Sequence, residues 1–153
     1  MIILGIDPGI ARLGYGIILK NNSRISCLDY GCLETAKTLA QSERLMILHD
    51  SLSKIIQKQN PNFLAIERLF FAKNAKTALN IAEIRGVILL LAQKMNLKIK
   101  EVTPIQVKQS LTSYGRADKK QVSLMVQKLL NLKKIPKPDD AADALAIAIA
   151  AWA

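Results

Sequence analysis

Acidic residues are scarce in this chain. Among 153 residues, 12 Asp and Glu stand against 22 Lys and Arg, a formal charge of +10 with an isoelectric point near 9.8. So basic a chain calls for a polyanionic partner, nucleic acid first. Long apolar runs are also missing. The stretches V-I-L-L-L-A at 87–92 and the Ala/Ile-rich C-terminal segment fall short of the roughly 18–20 residues that cross a membrane. The N-terminus enters a strand directly, with no basic leader or small-residue cleavage site, so neither a signal peptide nor export is expected and the location reads as cytoplasmic. Cysteine is nearly absent. Cys27 and Cys32, five apart on one strand, are expected to face opposite sides, which suits neither a disulfide nor a zinc pair. The lone histidine, His49, reads as an ordinary surface or core residue. No low-complexity tract occurs and half the residues are hydrophobic, which excludes disorder. The length suits a single domain, residues 1–153.

The few acids therefore carry information by where they sit. Ile2, Ile3, Leu4 and Ile6 form an apolar run that ends in Asp7 and the turn signal Pro8-Gly9. Such a run reads as a strand covered on both faces. Residues 14–20 and 24–34 continue as two antiparallel strands, with Asn21-Asn22-Ser23 as the turn between them. The period then changes. Leu45, Leu48, Leu52, Ile55 and Ile56 share a helical face, with Ser42 and Glu43 at its start. Phe63 to Ile66 is a short buried strand ending in Glu67, which repeats the opening pattern. A loop follows over 68–74. A helix then runs from about Asn74 or Lys76 to Met95, apolar on all sides in its second half and so expected to be buried on more than one side.

The segment K-I-K-E-V-T predicts a fifth strand, and Pro104 to Leu111 a short helix. Asp118 is a candidate cap for a helix to about Leu130, with Val122, Met125, Val126 and Leu129 inward. The last helix begins at D-D-A-A-D, capped by Asp139 or Asp140. A three-strand meander joined to alternating β-α-β is an α/β layer arrangement with a mixed sheet, and right-handed crossovers can place the strands of Asp7 and Glu67 side by side.

On the residues alone, each acid has two readings. Asp7 is a turn cap or a cation ligand. Glu67 with Arg68 is a strand-end charge pair or part of a site. Asp140 and Asp143 share the first turn of the last helix, where acids favour the macrodipole without any chemistry. As a set, four converging carboxylates would repel and raise one another's pKa values. A hard divalent cation such as Mg²⁺ removes that penalty and also binds phosphate oxygens.

The segments G-I-D-P-G-x4-G-Y-G, A-I-E-R-L-F-F-A-K-N-A, E-I-R-G-V, Q-V-K-Q-S, K-K-Q-V and D-D-A-A-D-A-L-A-I-A-I-A resemble the RuvC family of crossover-junction endodeoxyribonucleases, in order and over nearly the whole chain. The resemblance implies a ribonuclease H-like fold, a five-stranded mixed sheet flanked by helices. It implies a homodimer that resolves four-way (Holliday) junction DNA in recombination and repair. The products are paired symmetric nicks with 5′-phosphate and 3′-hydroxyl ends. Mg²⁺ or Mn²⁺ would serve as cofactor, two ions to a site. Asp7, Glu67, Asp140 and Asp143 would be the metal-binding catalytic acids, with Lys108 and Lys119 near the scissile phosphate. Phe70 would stack on a base at the crossover, and Arg68, Lys73, Arg116 and Lys120 would contact the DNA. RuvA and RuvB are the implied partners, although the short C-terminus suggests no partner-binding tail. The helix at about 77–95 is the expected dimer surface, to be broken by a charge at Leu89.

Three other readings compete. A nucleotide-binding protein of the actin or sugar-kinase type shares the glycine pattern around Asp7 but needs a duplicated fold. A catalytically silent junction-binding protein would not need all four acids. Another ribonuclease H-like nuclease would act on a different substrate, such as an RNA–DNA hybrid.

Overall fold

Ile2 to Asp7 forms the middle strand of a five-stranded sheet. The chain runs β1 (Ile2–Asp7), β2 (Arg12–Asn21), β3 (Arg24–Glu34), α1 (Gln41–Gln59), β4 (Phe63–Glu67), α2 (Ala75–Lys94), β5 (Lys98–Val102), α3 (Pro104–Thr112), α4 (Lys119–Leu129) and α5 (Asp139–Ala150). This computed structural model describes residues 1–22, 24–68 and 75–152. The loop expected over 68–74 lies outside the described residues apart from Arg68.

The sheet order is β3-β2-β1-β4-β5. β1 pairs antiparallel with β2 and parallel with β4, and β4 pairs parallel with β5. The expected mixed sheet is therefore observed, with Asp7 and Glu67 at the same end of adjacent strands. Both sheet faces are covered, as the apolar run of β1 requires. Leu4 and Ile6 join Leu64, Ile66 and the buried faces of α1 and α2. Ile3 joins Ala65 and the inward residues of α3, α4 and α5.

α5 lies closest to the sheet, and glycine is the reason. A Cβ on Gly5 would lie 2.7 Å from the backbone nitrogen of Ala148, and one on Gly16 would lie 2.7 Å from that of Leu145. Gly14 sits under the carbonyl of Asp140 in the same way. The helix answers with its own small residues, Ala141, Ala144 and Ala148, all buried. Gly14 and Gly16 thus lie inside β2, within the strand expected over 14–20. Their open faces are filled by α5, which leaves no room there for the nucleotide phosphate that the actin or sugar-kinase reading would need.

Helix starts follow local chemistry. Asp118 caps α4 as expected: its Oδ1 accepts from Gln121 N at 2.8 Å, and Gln121 Oε1 accepts from Asp118 N at 2.8 Å. Thr103 and Gln106 build the same reciprocal cap on α3. α1 begins one residue before Ser42, and Glu43 reaches back to accept from Ala40 N at 2.8 Å. α5 departs from expectation. Pro138 occupies its cap position, and Asp139 and Asp140 are already inside the first turn. On α4, Val122 and Val126 are buried, but Leu129 is exposed and Leu130 takes its place in the core.

The cysteines correct a parity argument. The β2–β3 register shifts between Ile17 and Ile18, which leaves Leu28 as an extra residue on β3. A bulge of this kind reverses the alternation beyond it. Cys27 opposite Ile18 and Cys32 opposite Gly14 consequently face the same side, that of α5. Both are free thiols. Burial pushes Cys27 up to about 11, so it is a poor nucleophile at neutral pH.

Candidate catalytic centre

Asp7 is the last residue of β1 and Glu67 the last of β4. Odd-numbered side chains of β1 face α5, so Asp7 points toward the helix that carries Asp140 and Asp143. Together with Lys108 from α3 and Lys119 from α4, the side chains of Asp7, Glu67 and Asp143 line a cleft of about 250 Å³. Pro104, Val107, Val122, Ala146 and Ile147 form its apolar wall.

Within the cleft, Lys119 Nζ lies 2.8 Å from Asp143 Oδ2. Asp140 stands to one side, with its Oδ2 3.0 Å from Arg12 Nη2. Arg12 was not singled out from sequence. It is one of many basic residues, and only the register that brings the start of β2 beneath α5 marks it. Arg12 also reaches Glu34 at 3.6 Å.

The electrostatics follow from burial and like charge. Removal from water, then Asp143, Asp140 and Glu67 in that order, raise Asp7 from 3.8 to about 7, while Lys119 acts in the opposite direction. Burial and then Asp143 raise Glu67, against the charge of Lys108. The hydrogen bond to Asp143 raises Lys119, which therefore stays cationic.

Among the described residues, no three His, Cys, Asp or Glu side chains already stand close enough to hold a metal ion. Two of the acids are turned toward cationic side chains of the protein instead. The donor chemistry nevertheless fits a hard cation. Asp7 retains a proton near neutrality because charge on it is unsupported, and oxygen-only donors of this kind select Mg²⁺-like ions.

The other expected positions divide. Lys108 and Lys119 line the cleft beside the acids. Lys120 and Arg116 are exposed at the start of α4 and in the loop before it. Arg68 pairs with Glu101, Nε to Oε2 3.4 Å, and does not line the cleft. Phe70 and Lys73 lie outside the described residues.

A residue missed from sequence sits beneath Glu67. Arg85 of α2 is buried and donates through Nη1 to the Glu67 carbonyl at 2.6 Å, and through Nη2 to Glu101 Oε1 at 2.5 Å. An arginine within an otherwise apolar helix stretch was the available signal.

Residues 3–151 match the family model described as crossover junction endodeoxyribonuclease RuvC. The protein of that name from Caldicellulosiruptor saccharolyticus is 57% identical over 150 residues, covering 97% of this chain and 90% of its own length. The solved structure of Thermus thermophilus RuvC in complex with a Holliday junction substrate aligns with a TM-score of 0.90 at 30% identity, over 98% of this chain and 92% of that one. The yeast mitochondrial Holliday junction resolvase Ydc2 shares the fold, with a TM-score of 0.69 at 19% identity over 97% of this chain and 76% of its own. The ribonuclease H-like sheet, the two acid-ended strands and the close-packed terminal helix all lie within the matched span, and this chain belongs to the RuvC family of crossover junction endodeoxyribonucleases.

Proposed function

We propose that this chain cuts four-way DNA junctions by divalent-cation-assisted hydrolysis, with Asp7, Glu67, Asp140 and Asp143 as the cation-holding acids and Mg²⁺ as the physiological ion. One observation carries the assignment: Asp7 is half-buried near three other acids and raised to about 7, at a cleft that also presents two lysines. Family membership supplies the reaction class, an endonuclease acting in recombination and repair. A bound cation supplies positive charge to phosphate oxygens and helps ionise the attacking water.

The protein's own groups do the rest. Lys108 and Lys119 face the space a scissile phosphate would enter, where they stabilise developing negative charge. Lys119 and Arg12 hold Asp143 and Asp140 until a cation competes for them. Arg116 and Lys120 lie exposed in the loop before α4 and in its first turn, close in the chain to Lys119, placed for phosphate contacts that position the duplex. Two ions to a site, as the family resemblance suggests, suit the donor set of four carboxylates.

The junction's two-fold symmetry calls for two sites related by the same axis, and an isologous dimer provides them. The outward side of α2 supports this. Leu79 and Leu90 are 66% and 59% exposed, and between them Gly86 opens onto empty space. Two exposed leucines with a glycine between them on one helix side let a second helix approach closely. The paired symmetric nicks follow from that dimer, and their 5′-phosphate and 3′-hydroxyl ends are proposed on family membership. The partners RuvA and RuvB and a cytoplasmic location are proposed on family membership. Among the described residues, no helix is long and apolar enough to cross a membrane.

The test is Mg²⁺-dependent cleavage of a synthetic four-way junction, beside a linear duplex and an RNA–DNA hybrid. Wild-type protein should cut the junction alone. Asp7→Asn should bind the junction and leave it intact, because the amide keeps the shape and removes the charge. Wild-type rates in that variant would defeat the assignment.

A further inference from the structure

The Arg85 contact answers a gap in the sheet. Met1 and Lys20 exchange both backbone hydrogen bonds, Met1 N to Lys20 O at 3.0 Å and Lys20 N to Met1 O at 2.8 Å. Odd residues of β1 therefore aim their polar groups at β2, and even residues aim theirs at β4. On the other side, Arg68 N donates to Val102 O of β5 at 2.7 Å. The carbonyl of the same Glu67–Arg68 peptide, anti to that N–H, points the other way, toward β1.

With Ile6 opposite Ile66 in a parallel ladder, the donor due at the Glu67 carbonyl is the N–H of residue 8. Residue 8 is Pro8, which has none. A buried carbonyl left without a donor is costly. Arg85 Nη1 stands 2.6 Å from it. The guanidinium is itself held by Glu101, whose other oxygen meets Arg68 at 3.4 Å.

We infer that Arg85 is a positioning residue for Glu67, replacing from α2 the ladder donor that Pro8 removes from β1. The turn after Asp7 and the placement of Glu67 are thereby reconciled. Pro8 ends β1 sharply behind one acid, and Arg85 keeps the neighbouring strand in register under the other. Glu101 orients the arginine fork and neutralises its buried charge. Arg68 closes the network on the residue next to Glu67. The same helix presents Leu79 and Leu90 outward, so the proposed dimer helix also bears on the acid-bearing strand end.

This inference rests on the reading of Glu67 as a cation-holding acid, and Glu67→Gln tests that reading separately. Arg85→Lys keeps the buried charge but cannot reach the carbonyl and Glu101 at once. Arg85→Met removes the donor. Each is compared with wild type for thermal unfolding, metal-free junction binding and single-turnover cleavage across a Mg²⁺ titration. Folding and binding should persist in Arg85→Lys, while the maximal rate falls, or the Mg²⁺ midpoint rises, by about 10- to 100-fold, as for loss of a group that orients a metal ligand. Adding Pro8→Ala to Arg85→Met returns an N–H to the ladder and should recover part of the lost rate.

If Glu67→Gln is inactive while both Arg85 variants cut with wild-type rate and Mg²⁺ midpoint, the inference is overturned and the acid assignment stands. A loss of cutting in Arg85→Lys that is matched by lost folding or junction binding also overturns it, since a merely structural residue would behave so. Failure of Pro8→Ala to recover any rate removes the ladder explanation.

Discussion

Lys119, the first residue of α4, places its ammonium 2.8 Å from the carboxylate of Asp143 on α5. The lysine faces the cleft because the Asp118 cap fixes the start of its helix. It moderates the repulsion on Asp7, and in the proposed reaction it would stand near an incoming phosphate. Lys119→Met should leave the fold intact, since more than half the side chain is exposed. Cleavage of a four-way junction should fall about 10- to 100-fold, the range for losing a group that orients a metal ligand. Single-turnover rates at saturating Mg²⁺ measure this, and an unchanged rate would remove Lys119 from the site.

Gly14 is the point where sheet and helix meet most closely at the site. A methyl group there would meet the Asp140 carbonyl and lie 3.0 Å from Asp140 Cβ. The helix backbone cannot rotate away as a flexible side chain does. Gly14→Ala should therefore destabilise by about 1–3 kcal/mol, the usual cost of overpacking. Asp140 is displaced directly, so cutting should suffer more than junction binding. Denaturant unfolding alongside cleavage separates the two effects, and equal losses in binding and cutting would contradict the expectation.

The alternation and helical periods made most of the fold legible. β1 and β4 announced themselves as apolar runs ending in acid, and the five strands and their mixed order followed. Asp7, Glu67 and Asp143 were legible for the same reason, because an acid at the end of a buried strand or on an apolar helix stands out. Three features were hidden. The bulge at Leu28 reversed the facing of Cys27 relative to Cys32, and nothing in the local residues marks it. The reason for glycine at 14 and 16 was hidden because sequence does not show a helix crossing above that strand. Arg12 and Arg85 bind across elements far apart in sequence, a relation set by register and not by spacing.

The raised Asp7 makes the metal-free protein sensitive to pH in a defined direction. Its folded-state value of about 7 lies above the ordinary 3.8. Below about pH 4 both folded and unfolded forms are protonated. Between the two values the folded form holds a proton that the unfolded form has released, so stability falls as pH rises. Above pH 7 the penalty is fully present, about 4 kcal/mol by linkage. Glu67, raised in the same sense, adds to it. In a chelator, wild type should melt at higher temperature near pH 5 than near pH 8. Asp7→Asn should flatten much of that difference, and millimolar Mg²⁺ should restore wild type at pH 8. Thermal melts at both pH values decide. A slope identical in wild type and Asp7→Asn would show that Asp7 is not the group responsible.

The proposed dimer face makes the last prediction, and the structure moves it by one residue from the position favoured by sequence. Leu89 is half-buried and packs against the core shared with α1. A charge there would disturb the monomer itself. Leu90 is 59% exposed on the side of α2 away from that core, about three helical turns from Leu79 on the same side. Leu90→Arg should leave unfolding of the monomer nearly unchanged, because exposed substitutions cost within about 0.5 kcal/mol. It should still convert the dimer to monomer, since two arginines related by an isologous axis would meet across the interface. Paired nicking of one junction should then give way to slow, unpaired nicks. Analytical ultracentrifugation gives the mass, and cleavage of a junction labelled on opposite strands gives the pairing. A dimer that still cuts both strands together would place the interface elsewhere.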